Sequence, residues 1–196
     1  MRIETRTARG IDTVELDTRL FTNREIYLTG TITTEKAIDF IKEILYLVKE
    51  EPDKKIRIFI NSHGGEINAG MLIYDALSGL RNADIDIICI GHAYSMAAVL
   101  LAAGQKGHRF GLPSCEIMIH EPLISEISGS SSTIKSMSDS LLDKKKKICI
   151  VLSLHTGKTI QEIEKAISYD HYFDADEAVE FGLIDEVIGF EKLLSI

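Results

Sequence analysis

A single-domain α/β fold is what this sequence predicts, on three observations. Short β-branched runs alternate with helix-length amphipathic segments, no composition shift or repeat marks a boundary, and 196 residues is the length of one domain. A chain of this size buries roughly 70% of the surface it exposes when unfolded, so a self-sufficient core is expected. With 45% hydrophobic and 27% charged residues, and only 3 prolines beside 14 glycines, the disordered and collagen-like classes are excluded.

The strand candidates are residues 25–28, 56–60, 85–90 and 116–119. Between the first two, Ala37, Ile38, Ile41, Ile44, Leu45 and Val48 recur at the spacing that places them on one helical face, and Pro52 follows the end. A second helix is predicted over 68–80 and a third over 96–103, with Gly104 as its stop. Residues 132–155 read as one long helix ending at Gly157. Its polar, serine-rich first half cannot lie on a small core, so it should project or pack on another subunit. Thr159 with Glu162, and Asp174 with Glu177, fit the capping box, and Gly182 closes the helix that Asp174 opens.

Charge and composition narrow the function classes. A net charge of −8 disfavours nucleic acid as a partner, and the lysine run at 144–147 reads as a solvated helix segment. No apolar run approaches the roughly 18 residues that span a bilayer. The first residues lack the apolar stretch of a secretory signal, so a cytoplasmic location without membrane contact is expected. Cys89, Cys115 and Cys149 are spaced as buried, reduced thiols, with no disulfide framework and no metal site.

Three segments carry chemistry. Gly91-His92-Ala93-Tyr94-Ser95-Met96-Ala97 joins a strand to a helix, so the Ser95 hydroxyl would sit near backbone amides and the positive helix end. The plainer reading of Ser95 is an N-cap. Asn61-Ser62-His63-Gly64-Gly65 has paired glycines that let a peptide N–H approach a ligand, as an oxyanion hole requires, although a simple turn explains them as well. His120 follows the strand 115–119, where a neutral imidazole can serve as base for a serine hydroxyl. His63 and His92, beside the glycine and serine motifs, compete with it for that role.

In order and context, the segments NSHGG, GHAYSM and MIHEP resemble the proteolytic subunit of Clp protease, the ClpP family, whose marks are N-S-P-G-G, G-x-A-x-S-M and M-I-H-Q-P. The likeness runs from Arg9-Gly10 to Val187, through Tyr74-Asp75-Ala76, Arg109-Phe110-Gly111-Leu112-Pro113, His155-Thr156-Gly157 and Gly182-Leu183-Ile184-Asp185-Glu186-Val187. It implies a ClpP/crotonase-like spiral of ββα units with a projecting handle helix. It also implies a serine endopeptidase with Ser95 as nucleophile, His120 as base and Asp170, in Asp170-His171-Tyr172-Phe173-Asp174-Ala175, as the residue that orients the histidine. The amides of Gly65 and Met96 would form the oxyanion hole, and Glu66, Ile67 and Leu123 would border a groove for an extended substrate. Heptameric rings, stacked in pairs through the handle, would enclose a chamber. A hexameric AAA+ Clp unfoldase would feed it unfolded protein; ATP belongs to that partner, and this chain needs no cofactor, having no GxxxxGK[ST] motif.

The sequence also departs from the family. His63 replaces the proline of the glycine turn, and His92 and Tyr94 replace a Gln and a small residue beside the nucleophile. Tyr169 stands where an arginine commonly pairs across rings, and residues 123–129 replace a Gly-rich segment. Val14-Glu15-Leu16-Asp17 stands for an aromatic segment, and Arg57 for a docking-pocket aromatic. Two alternatives follow: a structural or regulatory ring subunit with weak activity of its own, and a crotonase-type enzyme, which leaves Ser95, His120 and Asp170 unexplained.

Overall fold

The protein is described from a computed structural model, over residues 1–7, 10–124 and 128–194. Strands β1 (Arg2–Thr7) and β2 (Gly10–Glu15) pair antiparallel as a separate sheet, and α1 (Leu16–Thr22) leads on to β3 (Glu25–Thr29). Helix α2 (Thr34–Glu50) crosses to β4 (Ile56–Ser62), and α3 (Ile67–Gly79) crosses to β5 (Ile85–Tyr94). These three strands are parallel neighbours, as βαβ crossovers dictate. The central helix α4 (Met96–Ala102) precedes β6 (Arg109–Gly111) and β7 (Glu116–Ile119). Then come the long α5 (Ser131–Thr156), α6 (Ile160–Ala166), β8 (His171–Phe173), α7 (Ala175–Phe181), β9 (Glu186–Val187) and α8 (Phe190–Leu193). The mixed α/β architecture with a mostly parallel sheet is the predicted class, and it is consistent with the ClpP fold.

The feature that positions the site is β5, which runs past its predicted end at Ile90 to Tyr94. Its first half pairs with β4 and β6, and its last residues pair with β7. The change of partner comes at an irregularity, where pairing jumps from Ile60 with Cys89 to Ser62 with Ala93. Asn61 holds this kink by accepting the His92 N–H at 3.1 Å. A Cβ on Gly91 would lie 2.6 Å from that same Asn61 oxygen, which accounts for the glycine.

The core lies between the sheet and helices α2, α3 and α4, where Ile44, Ile58, Ile60, Ile73, Ile87 and Leu101 are fully buried. Each such side chain contributes roughly 1.5–3 kcal/mol. Every residue of α4 is buried, which its small alanines permit. The buried face of α2 is Ala37, Phe40, Ile44 and Leu47, so the predicted face is rotated: Ile38 and Leu45 are exposed. Phe40, outside the predicted face, is buried, while Ile41 and Val48 are partly buried against the core.

Both predicted capping boxes are present, and the C-caps Gly157 and Gly182 are left-handed, at φ 77° and 93°. Gly104 is a different case. Its φ is not in the left-handed region; it is glycine because a Cβ would meet Arg109 Cγ at 2.7 Å. Arg109, 2% exposed, binds Asp185 and donates to the carbonyls of Ala102, His155 and Gly182 at 2.8–3.1 Å, tying the ends of α4, α5 and α7 together. Along α5, no residue before Ile148 is buried, and Ile134 and Leu142 are exposed. At 26 residues that helix is about 39 Å long, far more than its buried contact requires. No described helix is long and apolar enough to cross a membrane.

Candidate active site

Ser95 occupies the N-cap of α4, yet its side chain makes no capping hydrogen bond. Its backbone has φ 55° and ψ −121°, a conformation that costs a non-glycine residue roughly 1–3 kcal/mol. The N-cap reading therefore accounts for the position but not for the residue. A serine that caps nothing, held in strained backbone, is arranged for another purpose. The strain is imposed from both sides: the Ser95 N–H donates to Met118 O at 2.8 Å, and the glycine turn presses on the elbow. A Cβ on Gly64 would lie 2.9 Å from Ser95 Cβ and 3.0 Å from Met96 N.

The glycine turn is itself locked. Ser62, fully buried, donates to Gly30 O at 2.5 Å and accepts the Gly64 N–H at 3.0 Å. Gly65, at φ 154°, lies against the backbone of Ile32, and a Cβ there would come within 2.2 Å of Ile32 O. The Ile32 N–H bonds Gly64 O and Glu66 N–H bonds Ile32 O, whereas the N–H groups of Gly65 and Met96 have no partner among the described residues. Two unpaired amides thus border the cleft that Ser95 lines.

That cleft has a volume of about 380 Å³, and its walls include Gly65, Ile67, Ser95, Met96, His120 and Leu123. His120 sits just past β7, whose pairing with β5 brings it to the same opening as Ser95. Its Nδ1 lies 3.5 Å from Asp170 Oδ1, with side-chain exposures of 15% and 60%. This is ion-pair distance but long for a hydrogen bond. No hydrogen bond joins Ser95 and His120. Since Nδ1 faces the carboxylate, Nε2 is the nitrogen left for the serine side. Glu66 does not line the cleft; its carboxylate accepts the Thr34 hydroxyl at 2.7 Å.

One wall is aromatic. The His63 and His92 rings lie with centroids 4.0 Å apart, tilted by 32°, and the Tyr94 ring lies 5.3 Å from His63. The Tyr94 hydroxyl donates to Glu116, which, with burial, pushes its ionisation up to about 12. Burial, followed by the neighbouring His63, pushes the His92 imidazole below its ordinary value, outweighing Glu116. Neither histidine approaches Asp170 as His120 does.

Several supports were not legible in sequence. Lys145, in the run read as solvated, donates to Glu121 Oε2 at 2.6 Å, and Glu121 N–H bonds Ile167 O, so the chain beyond His120 is tied to α5 and the end of α6. The Ser62 clasp on Gly30 spans 32 positions, which no local signal marks. Among the departures from the ClpP pattern, Tyr169 is exposed and stacks on His171, and Arg57 lies 3.9 Å from Glu25. Val14 and Glu15 end β2, Leu16 and Asp17 begin α1, and residues 125–127 of the segment after the histidine motif fall outside the described residues.

The three cysteines are free and buried, as expected, and the neighbouring Cys115 thiol, followed by burial, pushes the Cys89 thiol up. Compared with known families, the chain matches the Clp protease model over residues 8–191, nearly its whole length. This chain belongs to the Clp protease family.

Proposed function

We propose that the chain is a serine endopeptidase subunit of an ATP-dependent Clp-type protease, with Ser95 as nucleophile, His120 as general base and Asp170 as the orienting acid. The observation that carries this reading is the Ser95 elbow: a non-capping serine in strained backbone, sharing one cleft with a histidine whose far nitrogen faces a carboxylate. Ser95 Oγ attacks the scissile carbonyl while its proton passes to His120 Nε2. The imidazolium so formed is favoured by Asp170 at Nδ1. The oxyanion is met by the N–H groups of Gly65 and Met96, each worth roughly 3 kcal/mol of transition-state stabilisation. His120 then returns the proton to the departing amine, and water hydrolyses the acyl-enzyme by the same route.

Ile67 and Leu123 give the groove an apolar border, so that an extended, unfolded polypeptide is bound mainly through its main chain. The reading includes assembly into heptameric rings, stacked in pairs through α5, in the cytoplasm, with a hexameric AAA+ unfoldase as partner. The unburied length of α5 and its exposed Ile134 and Leu142 support the stacking surface. Native mass measurement should return seven or fourteen copies, and a stable monomer at micromolar concentration would refute the chamber.

A second reading has an observation of its own. With Asp170 mostly exposed at 3.5 Å and no bond between Ser95 and His120, the single chain holds its catalytic set loosely, as expected of a regulatory or structural ring subunit that works in a mixed assembly. A fluorophosphonate probe separates the two. Labelling of Ser95 that disappears in Ser95→Ala supports the active peptidase; no labelling in any assembled form supports the regulatory subunit.

A further inference from the structure

The wall of the cleft beside Ser95 carries a group that the triad chemistry does not use. His63 is exposed, lines the cleft, and forms no hydrogen bond among the described residues. Its position is nonetheless well defined. The Ser62 clasp holds the backbone before it, and Gly64, which cannot accept a side chain, holds the backbone after it. Its ring is backed by His92 at 4.0 Å and Tyr94 at 5.3 Å, and Tyr94 is in turn held by Glu116 and by the edge of Tyr172 at 5.8 Å.

Charge around the ring is one-sided. Of the groups that face it, His92 has its charged form disfavoured by burial and by His63 itself, against the pull of Glu116. Tyr94 is a neutral phenol engaged with Glu116, and Tyr172 is a phenol. Glu66, three residues on, is engaged with Thr34, and His120 lies across the cleft with its Nδ1 turned to Asp170. Among the described residues, no Asp or Glu lines this cleft. A protonatable ring with free N–H groups therefore stands beside the nucleophile without a carboxylate of its own.

We propose that His63 is a specificity-determining residue that selects an acidic side chain, Glu or Asp, at a substrate position flanking the scissile bond. This rests on the peptidase reading above. The ring supplies a charge-assisted hydrogen bond to that carboxylate when protonated and only a neutral one when not. The contact is made by bound substrate before any bond changes, so it belongs mainly in KM.

The test uses the assembled protein and paired fluorogenic peptides that differ only in Glu or Gln at each position flanking the cleavage site. The Glu/Gln ratio of kcat/KM within each protein is the readout, so any general loss of activity in a variant cancels. At one position the wild type should favour Glu by about five- to tenfold at pH 6, the scale of one partly exposed charge pair, and by clearly less at pH 8. His63→Asn should bring the ratio near one at both pH values. His63→Lys should restore the preference and remove its pH dependence.

Cleavage with no Glu preference at any position, or a preference that survives in His63→Asn, overturns the inference while leaving the peptidase intact. Absence of cleavage together with absence of Ser95 labelling overturns both.

Discussion

Two polar centres of this molecule spend their hydrogen-bonding capacity in opposite ways. Around Arg109 it is fully used: the guanidinium meets Asp185 and three backbone carbonyls, and Asp185 also accepts the N–H groups of Gly107 and Arg109. Around Ser95 it is left open: among the described residues the hydroxyl caps nothing, the amides of Gly65 and Met96 are unpaired, and His63 makes no hydrogen bond. A saturated, buried centre can only hold the fold. An open one, lining a cleft, can still bond whatever enters, and the strain at Ser95 is supported by rigid parts of the kind Arg109 secures.

Substitutions should separate the two centres. The largest loss of stability is expected from Arg109→Leu, which leaves Asp185 partly buried without its cation and three helix-end carbonyls without donors; about 3–5 kcal/mol should be lost in urea unfolding. An unchanged midpoint would mean that Arg109 anchors nothing. The same pair predicts a pH effect. Burial pushes the Asp185 carboxyl up, but the Arg109 hydrogen bond and charge, with two backbone N–H groups, outweigh it and hold the carboxyl below the usual range. Its folded value is therefore lower than the roughly 3.9 of a free aspartate, so its contribution is complete above that pH and fades as pH falls through the lower folded value. Asp185→Asn should lose this acid dependence between pH 5 and pH 2, a range followed by urea midpoints.

Gly65→Ala comes next, at about 2–3 kcal/mol, because the new methyl must displace the backbone of Ile32 from a residue at φ 154°. The turn should shift enough to abolish probe labelling of Ser95 as well. Retained labelling with native stability would show that the turn yields without consequence for the site. The smallest stability change is expected from Ser95→Ala, within about 0.5 kcal/mol, since the hydroxyl makes no bond to lose. Labelling should nevertheless vanish completely. A large drop in melting temperature would instead show that Ser95 is structural.

The motifs around Ser95, Gly65 and His120 were legible because each is a local strand end or turn, whose residue types are dictated by backbone geometry over a few positions. Asp170 was not legible in this way. It is one of 30 acidic residues, and only the ClpP resemblance singled it out. What brings its carboxylate to 3.5 Å from His120 is the antiparallel pairing of Ile119 with His171, a contact across some fifty positions. The face of α2 is rotated from the predicted one for a related reason: periodicity shows that a helix has an apolar side, but the elements packed against it, here α3 and β3, select which residues are covered.

By itself, then, the sequence determined the order of the central strands β3, β4, β5 and β7 and of the helices between them, the capping boxes and glycine caps at Gly157 and Gly182, and the residue types at the glycine and serine turns. These depend on hydrogen bonding and burial patterns within single segments. The tertiary structure alone decided that β5 bends from β6 to β7, that Lys145 clasps Glu121, that Ser62 reaches back to Gly30, and that the Cys89 and Cys115 thiols meet. Each of those joins groups far apart along the chain. Their meeting is set by how the crossovers stack the sheet and helices, which no local spacing encodes.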